Sequence, residues 1–420
     1  MWAQALLLTS VLGPPLSYGA YLEYYYTTLL PTNTPLLLLA LPIALQILTI
    51  SLATFPIGLL YTKLGRRAYW KLLFAFAAVV AVASQITLYW ITSYIGILVL
   101  QGLLLGSALG TLLTLGTLVL SSHYRGDVPL VSVQSGFAGF AGAVLHATLA
   151  RFSLQGIARG NGYEGFSQAA SGGLMGGTLL VAFFLLTRVK ADESKRWSVE
   201  YTLHLALPRA FLRDLTQVKG MLWFIVGYMF ISFGALVYPI YAITLLTQSP
   251  SLFSPDQGSY TLLAMLAVAA LSASGAANGR VMRKVGPVNI FVAASMFAGA
   301  VLLAPVLYPR IYVGILLSGV YGIALGAILS LHMIVAAIFV SEKEGGRWAD
   351  DMPAKVAIVV ALGGISAFGG ILVAAFIVRS GVEGANAALK VAGACMVGGG
   401  MLIWLVRLMR WKEKGVLYAV

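Results

Sequence analysis

Twelve apolar blocks, most of about twenty residues or more, follow one another from residue 3 to residue 406, separated by short polar connections. A helix crossing the hydrocarbon of a bilayer needs about 20 apolar residues. The blocks fall at 3–28, 35–61, 71–92, 94–121, 129–151, 166–187, 220–246, 259–278, 288–308, 311–340, 355–378 and 386–406. Dividing the 420 residues by roughly 35 per span and connection gives the same number of crossings. Only 10% of the chain is charged and 60% is apolar, which excludes both an ordinary soluble domain and a disordered chain. A transmembrane barrel would show short alternating segments. Uninterrupted runs such as Leu72–Val82 argue for helices instead.

The net charge of +13 would suggest nucleic acid on a soluble protein. Here its distribution decides otherwise. With the N-terminus inside, 22 of the 27 lysines and arginines fall on inner connections and the tail, and Arg151, Arg159, Arg310, Arg379 and Lys390 fall outside. Cytoplasmic loops are enriched in these residues. The expectation is a multi-pass protein, in the plasma membrane, with both termini cytoplasmic and a lipid bilayer rather than nucleic acid as its partner. The single cysteine, Cys395, permits no internal disulfide.

The polar stretch Arg188–Lys219 divides the chain into halves, 1–187 and 220–420. Within it, Trp197, Tyr201, Leu203, Leu207, Phe211 and Leu215 recur near helical spacing, as in a helix lying on the inner membrane face or a linker with scattered apolar residues. Two motifs repeat between the halves. Gly58-Leu-Leu-Tyr-Thr-Lys63-Leu-Gly65 closes span 2, and Gly279-Arg-Val-Met-Arg-Lys284-Val-Gly286 closes span 8, 221 residues later. Gly106-Ser-Ala-Leu-Gly110 in span 4 returns as Gly322-Ile-Ala-Leu-Gly326 in span 10, after 216 residues. Duplicated six-helix halves with a path between them at mid-membrane are the organisation of the major facilitator fold. The fold expected is therefore an all-α polytopic membrane protein of two pseudo-symmetric six-helix bundles.

Glycine ridges mark close helix packing: Gly102, Gly106 and Gly110 in span 4; Gly136, Gly139 and Gly142 in span 5; Gly363, Gly364, Gly369 and Gly370 in span 11. Gly13-Pro14-Pro15 predicts a kink or break inside span 1. Ionisable and amide groups inside spans are few, and each is a candidate for the path. Glu23 lies near the outer end of span 1, either reaching water or facing a solute. His146 and His332 lie in spans 5 and 10, as packing residues or as functional imidazoles. Gln46, Gln101 and Gln134 can bond a solute or a neighbouring helix. Tyr228, Tyr238 and Tyr241, with Pro239, form an outer gate or an aromatic belt. Lys63, Arg66, Arg67, Arg280, Arg283 and Lys284 belong to the inner gate or simply set topology. Motifs for hydrolysis, phosphate binding or metal ligation are missing, so neither an enzyme nor a cofactor or metal is expected.

These residues bring a family into view. Ser17-Tyr-Gly-Ala-Tyr-Leu-Glu23-Tyr-Tyr25, Leu100-Gln101-Gly102-Leu-Leu-Leu-Gly106, Ser135-Gly136 through Gly139-Phe-Ala-Gly142, and Gly279 through Gly286-Pro-Val-Asn289 resemble the fungal branch of the monocarboxylate transporter family, within the major facilitator superfamily. The resemblance implies a secondary transporter that moves a small organic solute by alternating access, with protons as a candidate coupling ion. It also implies departures. Thr62 and Arg283 stand where the family's gate motif carries aspartate, and Gly275 stands where a carboxylate-binding arginine is expected. Those departures point toward a neutral or weakly acidic metabolite. The rival expectation is a receptor that keeps the fold and binds a solute without moving it. The path-lining candidates are Glu23, Gln46, Gln101, His146, Tyr238 and His332. The inner-gate candidates are Gly58, Lys63, Gly65, Arg66, Arg67, Gly279, Lys284 and Gly286.

Overall fold

The computed structural model describes residues 2–30, 34–64, 69–121, 128–157, 166–188, 215, 218–247, 255–304, 311–340, 343–344, 347–348, 352–378 and 382–414. The first half holds α1 (Trp2–Tyr24), α2 (Leu36–Leu64), α3 (Tyr69–Thr87), α4, α5 (Val128–Ile157) and α6 (Phe166–Thr187). Helix α4 comes in three pieces, Tyr94–Ile97, a π-helical Leu98–Leu105 and Gly106–Ser121. A second π-helical turn, Tyr25–Leu29, extends α1. The second half holds α7 in two pieces (Met221–Ala235 and Val237–Thr247), α8 (Pro255–Ala276), α9 (Pro287–Leu303), α10 (Ile311–Val340), α11 (Met352–Val378) and α12 (Val382–Lys414). A two-residue hairpin, Lys343–Glu344 with Arg347–Trp348, joins α10 to α11. Among the described residues eleven helices are long and apolar enough to cross a membrane, and α9 is a shorter apolar helix. The molecule is a multi-pass integral membrane protein of two pseudo-symmetric six-helix bundles.

Helices in lipid gain little from burying apolar surface against each other, so close packing of small residues holds them together. Each glycine pair that repeats in the sequence makes the same contact in its own half. Gly106 sits on the backbone of Gln46 in α2, and Gly110 on that of Ile50. Gly322 sits on the carbonyl of Met265 in α8, and Gly326 on that of Ala269. A third equivalence accompanies them. The Thr49 hydroxyl of α2 donates to the Gly102 carbonyl of α4 at 3.1 Å, and the Ser272 hydroxyl of α8 donates to the Ile323 carbonyl of α10 at 2.5 Å. The neighbours of α1 and α7 correspond too. Gly142 of α5 abuts Thr9 of α1, and Gly363 of α11 abuts Tyr228 of α7.

The halves meet along α2 with α11, along α5 with α8 and α10, and where α1 meets the second piece of α7. Their apolar cores divide unevenly. One core joins α1 from Leu16 to Tyr25, α2 from Leu36 to Ala44 and α5 from Phe140 to Ala150 to the whole second half. The other is confined to the first half: Ala3–Val11 of α1, Ile57, Phe74–Ala81, Leu105–Leu120 and Met175–Leu186. The halves are thus fused at the end of the bundle holding the C-terminal turns of α1. At the opposite end, among the described residues, the first half has a core of its own.

One expectation needs correction. Gly13-Pro14-Pro15 does not interrupt α1, which runs through both prolines from Trp2 to Tyr24. Packing against α5 along its length holds it helical. The interruption falls instead in α7, at Leu236. The connection 188–219 lies almost wholly outside the described residues, and with it both readings of that stretch, the helix on the inner membrane face and the linker.

Candidate functional site

The closed end is built on the break in α7. Pro239 has no N–H to give the carbonyl four residues back, that of Ala235. The Tyr321 hydroxyl of α10 supplies the missing donor at 2.9 Å and also lies 3.8 Å from Met396 Sδ. Tyr321 stands edge-on to Tyr238, ring centroids 5.2 Å apart, and the Tyr238 hydroxyl lies 2.6 Å from Ser318 Oγ. Beyond the break every residue from Val237 to Leu246 is buried, as is every residue of α1 from Gly13 to Glu23. The two segments touch at Gly19, where a Cβ would stand 2.8 Å from the Pro239 carbonyl oxygen and 3.0 Å from that of Ile240. Tyr228, Tyr238 and Tyr241 are therefore interior residues, not an aromatic belt. Tyr321→Phe leaves the Ala235 carbonyl buried without its donor. The expected cost is about 1–3 kcal/mol, read as a lowered Tm in detergent.

The α5–α8 seam holds a residue that sequence reasoning assigned to the outer connections. Arg151 lies within an apolar span and is only 7% exposed. Its guanidinium carbon stands 3.2 Å from the ring centroid of Tyr260, on α8 of the other half. Its Nη1 is buried without a hydrogen-bond partner among the described residues. Arginine stays charged whatever its surroundings, and a cation–π contact returns about 2 kcal/mol when desolvated. The signal available in the sequence was a cation as the last residue of a long apolar block. Counting it as a loop charge hid it.

The other candidates fall in separate places. Glu23 is buried at the closed end. Gln46 is fully buried on α2, and neither amide atom has a hydrogen-bond partner among the described residues. Gln101 sits in the π-helical part of α4 and accepts from the Tyr25 hydroxyl at 3.2 Å. Tyr25 accepts from Gln168 of α6 at 2.9 Å, and Gln168 in turn accepts from Gln85 of α3. Four helices of the first half are tied by this one-directional chain. Interhelical hydrogen bonds in membranes average about 0.6 kcal/mol. Tyr25→Phe and Gln101→Leu should each cost about that much and be non-additive in the double variant, as thermal unfolding of all four proteins will show.

His146 is fully buried, with Nδ1 2.5 Å from Ser171 Oγ of α6. His332 is half-buried, with Nδ1 2.7 Å from its own helix's Leu329 carbonyl oxygen. The Gln134 side chain lies outside the described residues. Of the first gate motif, Gly58 lies in α2 with open space beside it. The Lys63 side chain and Gly65, Arg66 and Arg67 lie outside the described residues. The second motif forms a short helix, Gly279–Val285, whose first turn is capped by Asn278 accepting from the Arg280 N–H at 2.9 Å. Gly286 ends it at φ +86°, a conformation that only glycine adopts without strain. Lys284 is exposed there. Among the described residues no group of histidine, cysteine, aspartate and glutamate could hold a metal ion.

No family model matches the chain, and no curated protein matches it in sequence. Solved structures match over nearly its whole length. A point mutant of the nucleoside transporter NupG covers 96% of this chain and 98% of its own, at 14% identity and a TM-score of 0.64. A bacterial homolog of the human lysosomal transporter Spinster, in an inward-facing and occupied conformation, covers 98% and 96%, at 14% identity and 0.67. A point mutant of the E. coli fucose:proton symporter FucP covers 96% and 97%, at 11% identity and 0.65. The chain has the major facilitator fold. Within that fold the Gly19 contact with the α7 break and the Arg151–Tyr260 stack bridge the halves, whereas the tyrosine cluster lies inside the second half and the Gln101 chain and His146 inside the first.

Proposed function

We propose that this protein is a secondary active transporter that moves a small organic solute, of monocarboxylate-like size, by alternating access of its halves 1–187 and 220–420 about the connection 188–219. The observation that carries the reading is the division of the apolar core. A core shared at one end and, among the described residues, a core private to the first half at the other suit a bundle whose halves rock about a solute held between them. With both termini cytoplasmic in the plasma membrane, this state is closed to the outside. Among small solutes an organic acid is favoured, because Arg151 supplies a buried cation, with a donor unpartnered among the described residues, at a seam between the halves. That cation stands on a different helix from the one where the family resemblance placed it.

Flux assays test the reading. Purified protein in vesicles is expected to exchange at least one labelled solute from a panel of short-chain monocarboxylates and neutral metabolites. Failure to exchange any of them, by protein that is monodisperse and thermally stable after reconstitution, would leave the fold without this function.

A further inference from the structure

Two features far apart in the sequence, Gly13-Pro14-Pro15 and His146, meet in the fold. A Cβ built on Gly13 would collide with the His146 ring at Cδ2 and stand 2.9 Å from its Nε2. The imidazole therefore occupies the volume that a side chain at position 13 would fill. In a helix that volume borders the carbonyls three and four residues back, where serine and threonine side chains bond; here these are Ser10 and Thr9. Pro14 has no N–H to offer Ser10, and Pro15 none to offer Val11. The imidazole Nε2, buried and without a partner among the described residues, thus stands beside a turn of α1 from which the prolines have stripped the helical donors.

We propose that His146 is a proton-binding site formed jointly with the proline turn of α1. Hydronium gives its proton to the neutral ring and is left as water, so one O–H bond breaks as the N–H bond forms and nothing else changes. The ring then donates from both nitrogens, Nδ1–H to Ser171 Oγ and Nε2–H toward the Ser10 carbonyl. Backbone carbonyls released from helical bonding serve as cation ligands inside membranes, so the stripped turn favours the charged ring. Titratable groups on the described helices packed against α5 are few. Helix α1 carries Tyr18, Tyr21, Glu23 and Tyr24, α8 carries Asp256 and Tyr260, and α10 carries Tyr312, Tyr321 and His332. Helices α4 and α6 carry none from Gly106 and Phe166 onward, apart from the Ser171 hydroxyl, and α5 itself carries Arg151 beyond the next turn. In the transporter reading, on which this last step rests, the proton fastens α1 to α5 within the first half and makes the rigidity of one of the two rocking bodies depend on pH.

The test is a titration that needs no solute. Of the four histidines, His123, His204 and His332 are replaced by glutamine, and the ring nitrogens of His146 are followed by NMR in 15N-histidine-labelled protein in nanodiscs. A reversible change at Nε2, over pH values at which gel filtration shows intact protein, is expected. Pro14→Ala restores an N–H to the Ser10 carbonyl and should weaken proton binding at least about threefold, or roughly half a pH unit. Should the triple replacement not fold, the signal lost on His146→Gln in otherwise unaltered protein identifies the same resonance. A ring that keeps one neutral tautomer throughout, or a titration indifferent to Pro14→Ala, overturns the proposal. Neither result bears on flux, so the fate of the transporter reading is decided separately.

Discussion

Gly326→Val should abolish recovery of folded protein, while Gly398→Val should leave it unchanged. A Cβ at Gly326 would collide with the Ala269 carbonyl of α8, a backbone atom that cannot turn aside. Forcing extra atoms into a well-packed contact costs about 1–3 kcal/mol even where side chains can adjust. Here α10 must move away from α8 along its length, so the larger figure is a lower bound. Gly398 has nothing within 4 Å of its would-be Cβ. Gly106→Val on α4 should repeat the loss in the first half, since it meets the Gln46 backbone in the same way. The monodisperse peak of a fluorescent fusion in gel filtration reads all three. A folded Gly326→Val protein would show that the α8–α10 contact is not the tight joint described here.

Arg151→Gln should lower kcat/KM for an acidic solute about 100-fold and leave a neutral solute almost untouched. Removing one partner of a desolvated charge pair costs about 2–5 kcal/mol, and each 1.4 kcal/mol is tenfold. Arg151→Lys keeps the charge but not the planar fork that both stacks on Tyr260 and presents Nη1. It should recover only part of the loss. Tyr260→Phe keeps the ring face and should behave as the unaltered protein. Equal loss for acidic and neutral solutes would make Arg151 a residue that positions the seam, without a role in recognition.

How much of this was legible in the sequence depends on the kind of contact. Glycines repeating at equal offsets announced the α2–α4 and α8–α10 joints, because only a residue without a side chain allows a backbone to lie on another helix. Hydropathy located the spans closely: 166–187 and 311–340 match their helices end to end. Proline was a weaker guide. Two prolines in α1 left the helix continuous, while one in α7 accompanies an interruption, because a neighbouring tyrosine was placed to take over the orphaned carbonyl. That depends on a residue 82 positions away, and no local pattern reveals it. The candidate site was harder still. Gln101 was visible as a polar residue in an apolar span, but its partner Tyr25 lies 76 positions away and no local pattern links the two. Arg151 was assigned to the outside in the count of charges over the connections. Only the fold shows the aromatic ring from the other half that covers it.

The duplication is unequal in one respect that bears on movement. Of the two helices that close the bundle, α1 is continuous through its prolines and α7 is cut at Leu236. A continuous rod transmits a tilt from one membrane face to the other, whereas a divided one lets its far segment swing while the near segment stays put. Uncovering the sealed side would then demand a whole-body roll from the first bundle but only a local deflection from the second, and the two membrane faces would be exposed by different kinds of motion.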